Sequence, residues 1–198
     1  MTSKHKRSRI VTMTKSATTT PISFEGELYE LESQTILRLP EAESLKLPSR
    51  GQVAVKGTVN GHEFLAVLEP DGYWGHWLRA DKELQKSADI GAGDTAKLEL
   101  TVTKDWPEPT LPQDFAKALD TAPQKVQDKW KDITPMARWE WIRWVNSTGN
   151  MDTRTVRIEK SISKLNGKHR RPCCFNLAAC TDPELSRSGR LMALPTTE

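Results

Sequence analysis

Cysteine is scarce in this sequence: Cys173, Cys174 and Cys180 are the whole supply, and all lie near the C-terminal end. Three clustered cysteines cannot build the disulfide framework of a small secreted domain, so a reducing compartment, the cytoplasm, is expected. Long apolar runs are also missing: the longest is about five residues, against the roughly 20 that a membrane-spanning helix needs. The basic start lacks the apolar core of a signal peptide. There is no Walker loop, G-x-G-x-x-G, H-E-x-x-H or C-x-x-C, and no internal repeat. Nothing therefore brings a nucleophile and base, paired carboxylates or a metal-ligand set together by spacing, and neither an enzyme, a cofactor nor a metal is expected.

Charge is present in both signs but unevenly placed. Residues 1–20 carry five Lys/Arg and no acid, residues 21–104 nine Lys/Arg against 14 acids, and residues 105–198 15 against 12. The basic start is rich in Ser and Thr with almost nothing to bury, so it is expected to be a disordered tail. Met13 is an alternative start. Lys4-His5-Lys6-Arg7-Ser8-Arg9 also fits an arm for nucleic acid, although it adjoins an acidic segment.

From residue 21 to 104 the pattern is that of strands. Val53, Val55, Gly57 and Val59 alternate with polar or small residues, Asn60-Gly61 supplies both positive-φ positions of a type I′ turn, and residues 62–68 return. A two-residue loop sets Val59 opposite His62, Gly57 opposite Phe64, Val55 opposite Ala66 and Val53 opposite Leu68 on one face, with Gly57 leaving room for the Phe64 ring. His62 then ends the inner face as a structural histidine. Phe24, Gly26 and Leu28 fall on one face of an earlier strand, residues 35–39 form another, and Ala96, Leu98, Leu100 and Val102 face inward on a strand over 95–103. Asp81 caps a short helix carrying Leu84. Together these predict a small, mostly antiparallel β-barrel.

Three prolines within residues 107–112 mark a linker over 105–112. Beyond it the apolar period becomes helical: Phe115 and Leu119, then Val126 and Trp130, then a Trp-rich helix opened by Thr134-Pro135, then Ile158, Ile162 and Leu165 before Asn166-Gly167. A compact all-α domain of about four helices over 113–168 is predicted, with a Cys-containing extension over 169–198.

The order of these features resembles a family. Gly51-x-Val-x-Val-x-Gly-x-Val-Asn-Gly61 and Gly93-Asp94 are followed by Pro112-x-Asp-Phe-x-x-Ala-Leu119 and the Trp-rich helix. Thr153-Arg154-x-x-Arg157-Ile158 and Arg170-Arg171-Pro172-Cys173-Cys174 complete the set, which is similar to the bacterial YdeI/OmpD-associated proteins over residues 22–192. In these a small barrel of unknown function precedes an OmdA-like helical domain. The resemblance implies a double-split barrel, AbrB-like in architecture, for residues 21–104. It implies no known reaction, and associates the chain with stress, bacteriocin or antimicrobial-peptide tolerance.

Four groups of residues are candidate sites. His76 could line a shallow apolar site with Tyr73 and Trp74. On the Trp-rich helix, Trp139 either packs against the barrel or a neighbouring helix, or forms an exposed aromatic surface beside Arg138 and Arg143 for a ligand or partner. Arg154 and Arg157, at i and i+3 in a basic run from Arg154 to Arg171, either clamp one anion or dock the last helix on carboxylates of the barrel. Cys173, Cys174 and Cys180 are reactive-thiol candidates, because Arg170 and Arg171 would lower a neighbouring thiol pKa; their spacing matches no standard zinc site. Three functions follow: a non-enzymatic protein binding a small ligand or protein partner between barrel and helices; a nucleic-acid-binding regulator by analogy with AbrB-type barrels, disfavoured by the acidic barrel; and a thiol-based redox protein.

Overall fold

A computed structural model describes residues 20–173 and 175–194. The basic segment of the N-terminal tail and Cys174 lie outside these residues. The chain order is β1 (Ile22–Leu31), β2 (Gln34–Arg38), α1 (Glu41–Ser44), β3 (Val53–Val59), β4 (His62–Pro70), β5 (His76–Arg79), α2 (Lys82–Ala88) and β6 (Thr95–Val102), then α3 (Gln113–Asp120), α4 (Gln124–Asp132), α5 (Pro135–Asn146) and α6 (Met151–Asn166). Two short strands, β7 (Ser186–Arg187) and β8 (Arg190–Leu191), follow.

The first six strands close into an antiparallel barrel in the order β1-β2-β5-β4-β3-β6. The Asn60-Gly61 turn has both residues at positive φ (48° and 85°), and the β3–β4 register runs from Val59↔His62 to Val53↔Leu68 as the two-residue loop requires. Leu28, Leu37, Val55, Leu68, Leu78, Leu98 and Leu100 fill the interior. His62 departs from the expected pattern: it sits past the end of this core and is exposed. Gly57 is needed for a different reason from the Phe64 ring. A Cβ there would collide with the carbonyl oxygen of Glu99 and lie 2.8 Å from its carbon, because Gly57 also pairs with Leu100 on β6. The constraint comes from the close approach of the neighbouring β6 backbone.

Helices α3–α6 form a second core around Phe115, Val126, Trp141, Val145 and Leu165, with the Phe115 and Trp130 rings edge to face at 5.3 Å. α5 begins where Thr134 Oγ1 accepts from Ala137 N at 3.3 Å and Pro135 takes the first turn.

Residues 167–194 strap the two units together. Trp141 Nε1 donates to the Arg170 carbonyl at 3.2 Å, and Arg171 pairs with Glu140 on α5. Farther along, Cys180, Leu185 and Leu191 pack on Leu31, Ile36 and Trp77, side chains that point outward from the barrel. This third core makes the extension part of the fold.

Candidate functional site

A cleft of ≈ 490 Å³ lies where the outer face of β4 and β5 meets α5, the linker and the strap. Its position follows from strand alternation: Leu65, Val67 and Glu69 point away from the barrel interior. Leu65, Trp139 and Ile142 give it apolar walls, with Pro107 and Glu108 at one side. Trp139 is half-buried and donates its indole N–H to the Pro107 carbonyl at 2.8 Å. Of the two readings of Trp139, the structure gives an intermediate one: the ring is pinned to the linker and one side of it faces the cleft.

Arg138 and Arg143 do not flank an exposed aromatic surface. Arg138 grips Glu108, with Nε–Oε2 at 2.9 Å and Nη2–Oε1 at 2.5 Å, and donates to the Ile133 carbonyl. Arg143 is 3% exposed and sits at the floor of the cleft. It donates to Thr181 Oγ1 (3.2 Å) and to the Leu177 and Ala179 carbonyls (3.1 and 2.7 Å), and its Nε stands 3.5 Å from Glu69 Oε2. Burial pulls the Arg143 guanidinium below its ordinary pKa, with Glu69 opposing that shift. Burial likewise raises Glu69 above the usual carboxylate range, only partly offset by Arg143 and by the hydrogen bond from Gln52. Arg79, on the same wall, pairs with Asp182 of the strap and with Gln34. One charged layer thus links barrel, helix and strap.

The remaining candidates are placed elsewhere. His76 is fully buried and does not line a surface site: its Nε2 donates to the Gly51 carbonyl at 2.9 Å, which fixes Nδ1 as acceptor from the Ser44 hydroxyl at 2.7 Å. Burial holds its pKa below the ordinary value. Tyr73 and Trp74, by contrast, are 51% and 70% exposed. Their turn is held by Asp71, a buried residue whose Oδ1 accepts from Tyr73 N and Gly75 N at 2.7 and 2.8 Å, and whose Oδ2 accepts from Arg38.

Arg154 and Arg157 do not converge on one anion, nor do they reach the barrel. Arg154 binds Asp114 of α3 through Nε (2.6 Å) and Nη2 (2.9 Å), and Asn146 through Nη1. Arg157 donates to the Trp144 carbonyl and Ser147 Oγ and lies over the Trp144 ring at 5.8 Å. The i, i+3 spacing placed both on one side of α6, but their neighbours differ: α3 beneath one, the end of α5 beneath the other. Arg170 meets Asp132 at 2.6 Å, so most guanidiniums of the basic run are engaged within the molecule.

Cys180 is 2% exposed, and burial pushes its thiol up to about 11, which removes it from the reactive set at neutral pH. Cys173 is exposed, with Lys164 Nζ 3.2 Å from its sulfur. Among the described residues no cluster of three His, Cys, Asp or Glu could hold a metal, and no helix is long and apolar enough to cross a membrane.

Residues 24–100 match the model of a domain of unknown function, DUF1905, and residues 108–167 match the family described as bacteriocin-protection, YdeI or OmpD-associated. Among curated proteins none matches this chain.

Proposed function

The chain belongs with the YdeI/OmpD-associated proteins, carrying a DUF1905 barrel ahead of its OmdA domain, and from that premise we propose that it is a non-catalytic binding protein whose site is the cleft between the two domains. The observation that carries this reading is the construction of the cleft: strand β4, helix α5, the linker and the strap each contribute side chains, and a buried Arg143–Glu69 pair is held at its floor. A concave site at a domain interface, with apolar walls and placed polar and charged groups, is where small ligands are usually bound. The bacteriocin-protection description of the OmdA family supports a tolerance role, in which the ligand is met under antimicrobial or bacteriocin stress in a bacterial cytoplasm.

Binding without turnover is supported by the engagement of the groups that catalysis would need: His76 uses both ring nitrogens on Ser44 and Gly51, and burial holds Cys180 as a thiol. Nucleic acid is disfavoured because Arg154, Arg170 and Arg171 are paired with Asp114, Asp132 and Glu140, and the barrel carries an acidic surplus. A thermal-shift screen of a metabolite and peptide library tests the reading. Hits are expected to stabilise the wild type and to fail with Leu65→Arg, which fills the cleft from an exposed wall position. Hits that ignore Leu65→Arg, or an absence of hits in every chemical class, would overturn it.

A further inference from the structure

Trp74 is the most exposed bulky apolar side chain among the described residues, and its backbone sits in the left-handed region. Strain of this kind persists only where the surrounding structure over-determines it, and it collects at binding surfaces. The turn over residues 71–75 is held in that way. Asp71, fully buried, accepts from Tyr73 N and Gly75 N through one oxygen and from Arg38 through the other. A Cβ on Gly75 would stand 2.5 Å from Asp71 Oδ2, and one on Gly72 would collide with the Gly189 carbonyl oxygen of the strap. Arg50 Nη1 donates to the Trp74 carbonyl at 3.0 Å. A buried carboxylate and two close approaches that admit only glycine therefore fix two aromatic residues that themselves bury little.

Cations rim these rings. The guanidiniums of Arg38 and Arg190 lie 5.7 and 5.2 Å from the Tyr73 ring centroid. Arg50 also donates through Nη2 to the Ser44 and Leu47 carbonyls at 2.7 and 2.9 Å, which ties the turn to the segment carrying exposed Leu45. Of the three guanidiniums only Arg38 has a carboxylate partner among the described residues, the buried Asp71. On the adjoining helix α1, Glu43 is met by Lys46. None of these aromatic and cationic side chains lines the interdomain cleft or the second cavity, which lies between the strap and the α5–α6 connection. The closed barrel also gives a peptide no free edge strand to extend. What remains is a projecting aromatic turn with cations around it and no pocket beside it.

We propose that this turn docks on an anionic phospholipid surface, Trp74 and Tyr73 entering the headgroup layer while Arg38, Arg50 and Arg190 face its phosphates. Tryptophan and tyrosine suit that layer because each has an apolar body and one polar group that stays wet. Arginine suits it because the stem lies along apolar surface and the head remains at the charged boundary. The docking is peripheral, in keeping with the lack of a membrane-crossing helix among the described residues. It lies on a different face from the cleft and does not depend on what the cleft binds.

Co-sedimentation of the full chain with vesicles of pure phosphatidylcholine, and with vesicles containing about one-third phosphatidylglycerol, tests it. Binding to the anionic vesicles is expected to be at least about tenfold tighter than to the neutral ones. Trp74→Gly, which relieves the positive φ, is expected to weaken anionic binding about tenfold, and Arg190→Gln roughly fivefold. Arg190→Gln leaves every hydrogen bond of the turn in place, so it carries the test alone if Trp74→Gly does not fold. Thermal midpoints read the folding of both variants. No binding, or equal binding to the two vesicle types, overturns the proposal. So does anionic binding that survives both substitutions, which the five Lys/Arg of residues 1–20 would then explain. Tighter binding to soluble polyglutamate than to the anionic vesicles would assign the turn to an acidic polypeptide and overturn the lipid assignment.

Discussion

Glu69 on the barrel and Arg143 on the third helix of the α domain stand 3.5 Å apart across the domain boundary, the guanidinium almost wholly buried and the carboxylate largely so. Removing the cation leaves an under-bonded carboxylate in a dry layer and orphans two strap carbonyls that Arg143 holds. Arg143→Met, which keeps the length of the side chain, is therefore expected to cost about 3–5 kcal/mol in urea unfolding. Glu69→Gln should cost clearly less, since the buried guanidinium keeps its three oxygen acceptors. Equal losses for the two variants would show that the pair, rather than the strap contacts, dominates.

Gly57 gives a second, sharper test of packing. Because its Cα faces the Glu99 carbonyl, even the single methyl of Gly57→Ala must push β6 away from β3. A destabilisation of roughly 1–3 kcal/mol is expected, typical of overpacking in a region that cannot relax cheaply. A Phe64→Ala change would not rescue it, whereas a clash with the Phe64 ring would have been relieved. Chemical denaturation of the single and double variants checks this.

These two positions also mark how far the fold is legible in the sequence. The β3–β4 register can be read because Asn60-Gly61 admits only a two-residue turn, and one such turn fixes every pair behind it. The clash at Gly57 cannot, since it comes from β6, about 40 residues along the chain, whose pairing no local pattern specifies. Thr134-Pro135 announces α5 through its own chemistry. The burial of Arg143 leaves no sign: an arginine in a helical pattern is read as solvent-facing, and its partners, Leu177, Ala179 and Thr181, lie on a strap without periodicity. Leu185 and Leu191 are apolar residues in a turn-rich stretch, and only the outward-facing Trp77 and Ile36 explain them.

Trp74 holds φ at 73° while its side chain is 70% exposed. A bulky residue in the left-handed region is strained, and little packing is lost if the side chain is removed. Trp74→Gly is expected to raise stability by about 0.5–1 kcal/mol, with Asp71 still holding the turn through Tyr73 N and Gly75 N. A drop in the thermal midpoint would show that the indole makes a stabilising contact greater than the strain it carries.

The thiols should separate cleanly by environment. In a Cys174→Ser background at neutral pH, a maleimide is expected to modify exposed Cys173 readily and to reach Cys180 only at the rate of local or global unfolding, because Cys180 is buried and its thiol is pushed up to about 11. Mass spectrometry of timed digests reads both rates. Rapid labelling of Cys180 would mean that the strap opens in the native state.

Two carboxylates should bend the acid limb of the stability curve in opposite directions. Asp114 is held below its ordinary pKa, first by the hydrogen bond from Arg154 and also by its charge. Its folded value lies below the unfolded one, so its contribution is complete above the ordinary aspartate range and disappears as pH falls through the depressed folded value. With the Asp114 side chain 41% exposed, that contribution is at most about 1 kcal/mol. Glu69 is shifted the other way by burial, so the folded state holds its proton more tightly than the unfolded chain. Its ionisation costs stability above the raised folded value, and that cost is relieved as pH falls from there towards the ordinary glutamate range. Relative to Asp114→Asn, the wild type should therefore lose stability on acidification. Relative to Glu69→Gln it should gain stability, beginning at a higher pH. Urea midpoints of the three proteins between about pH 7 and pH 3 give both difference curves, and slopes of the same sign would contradict the opposite environments of these two residues.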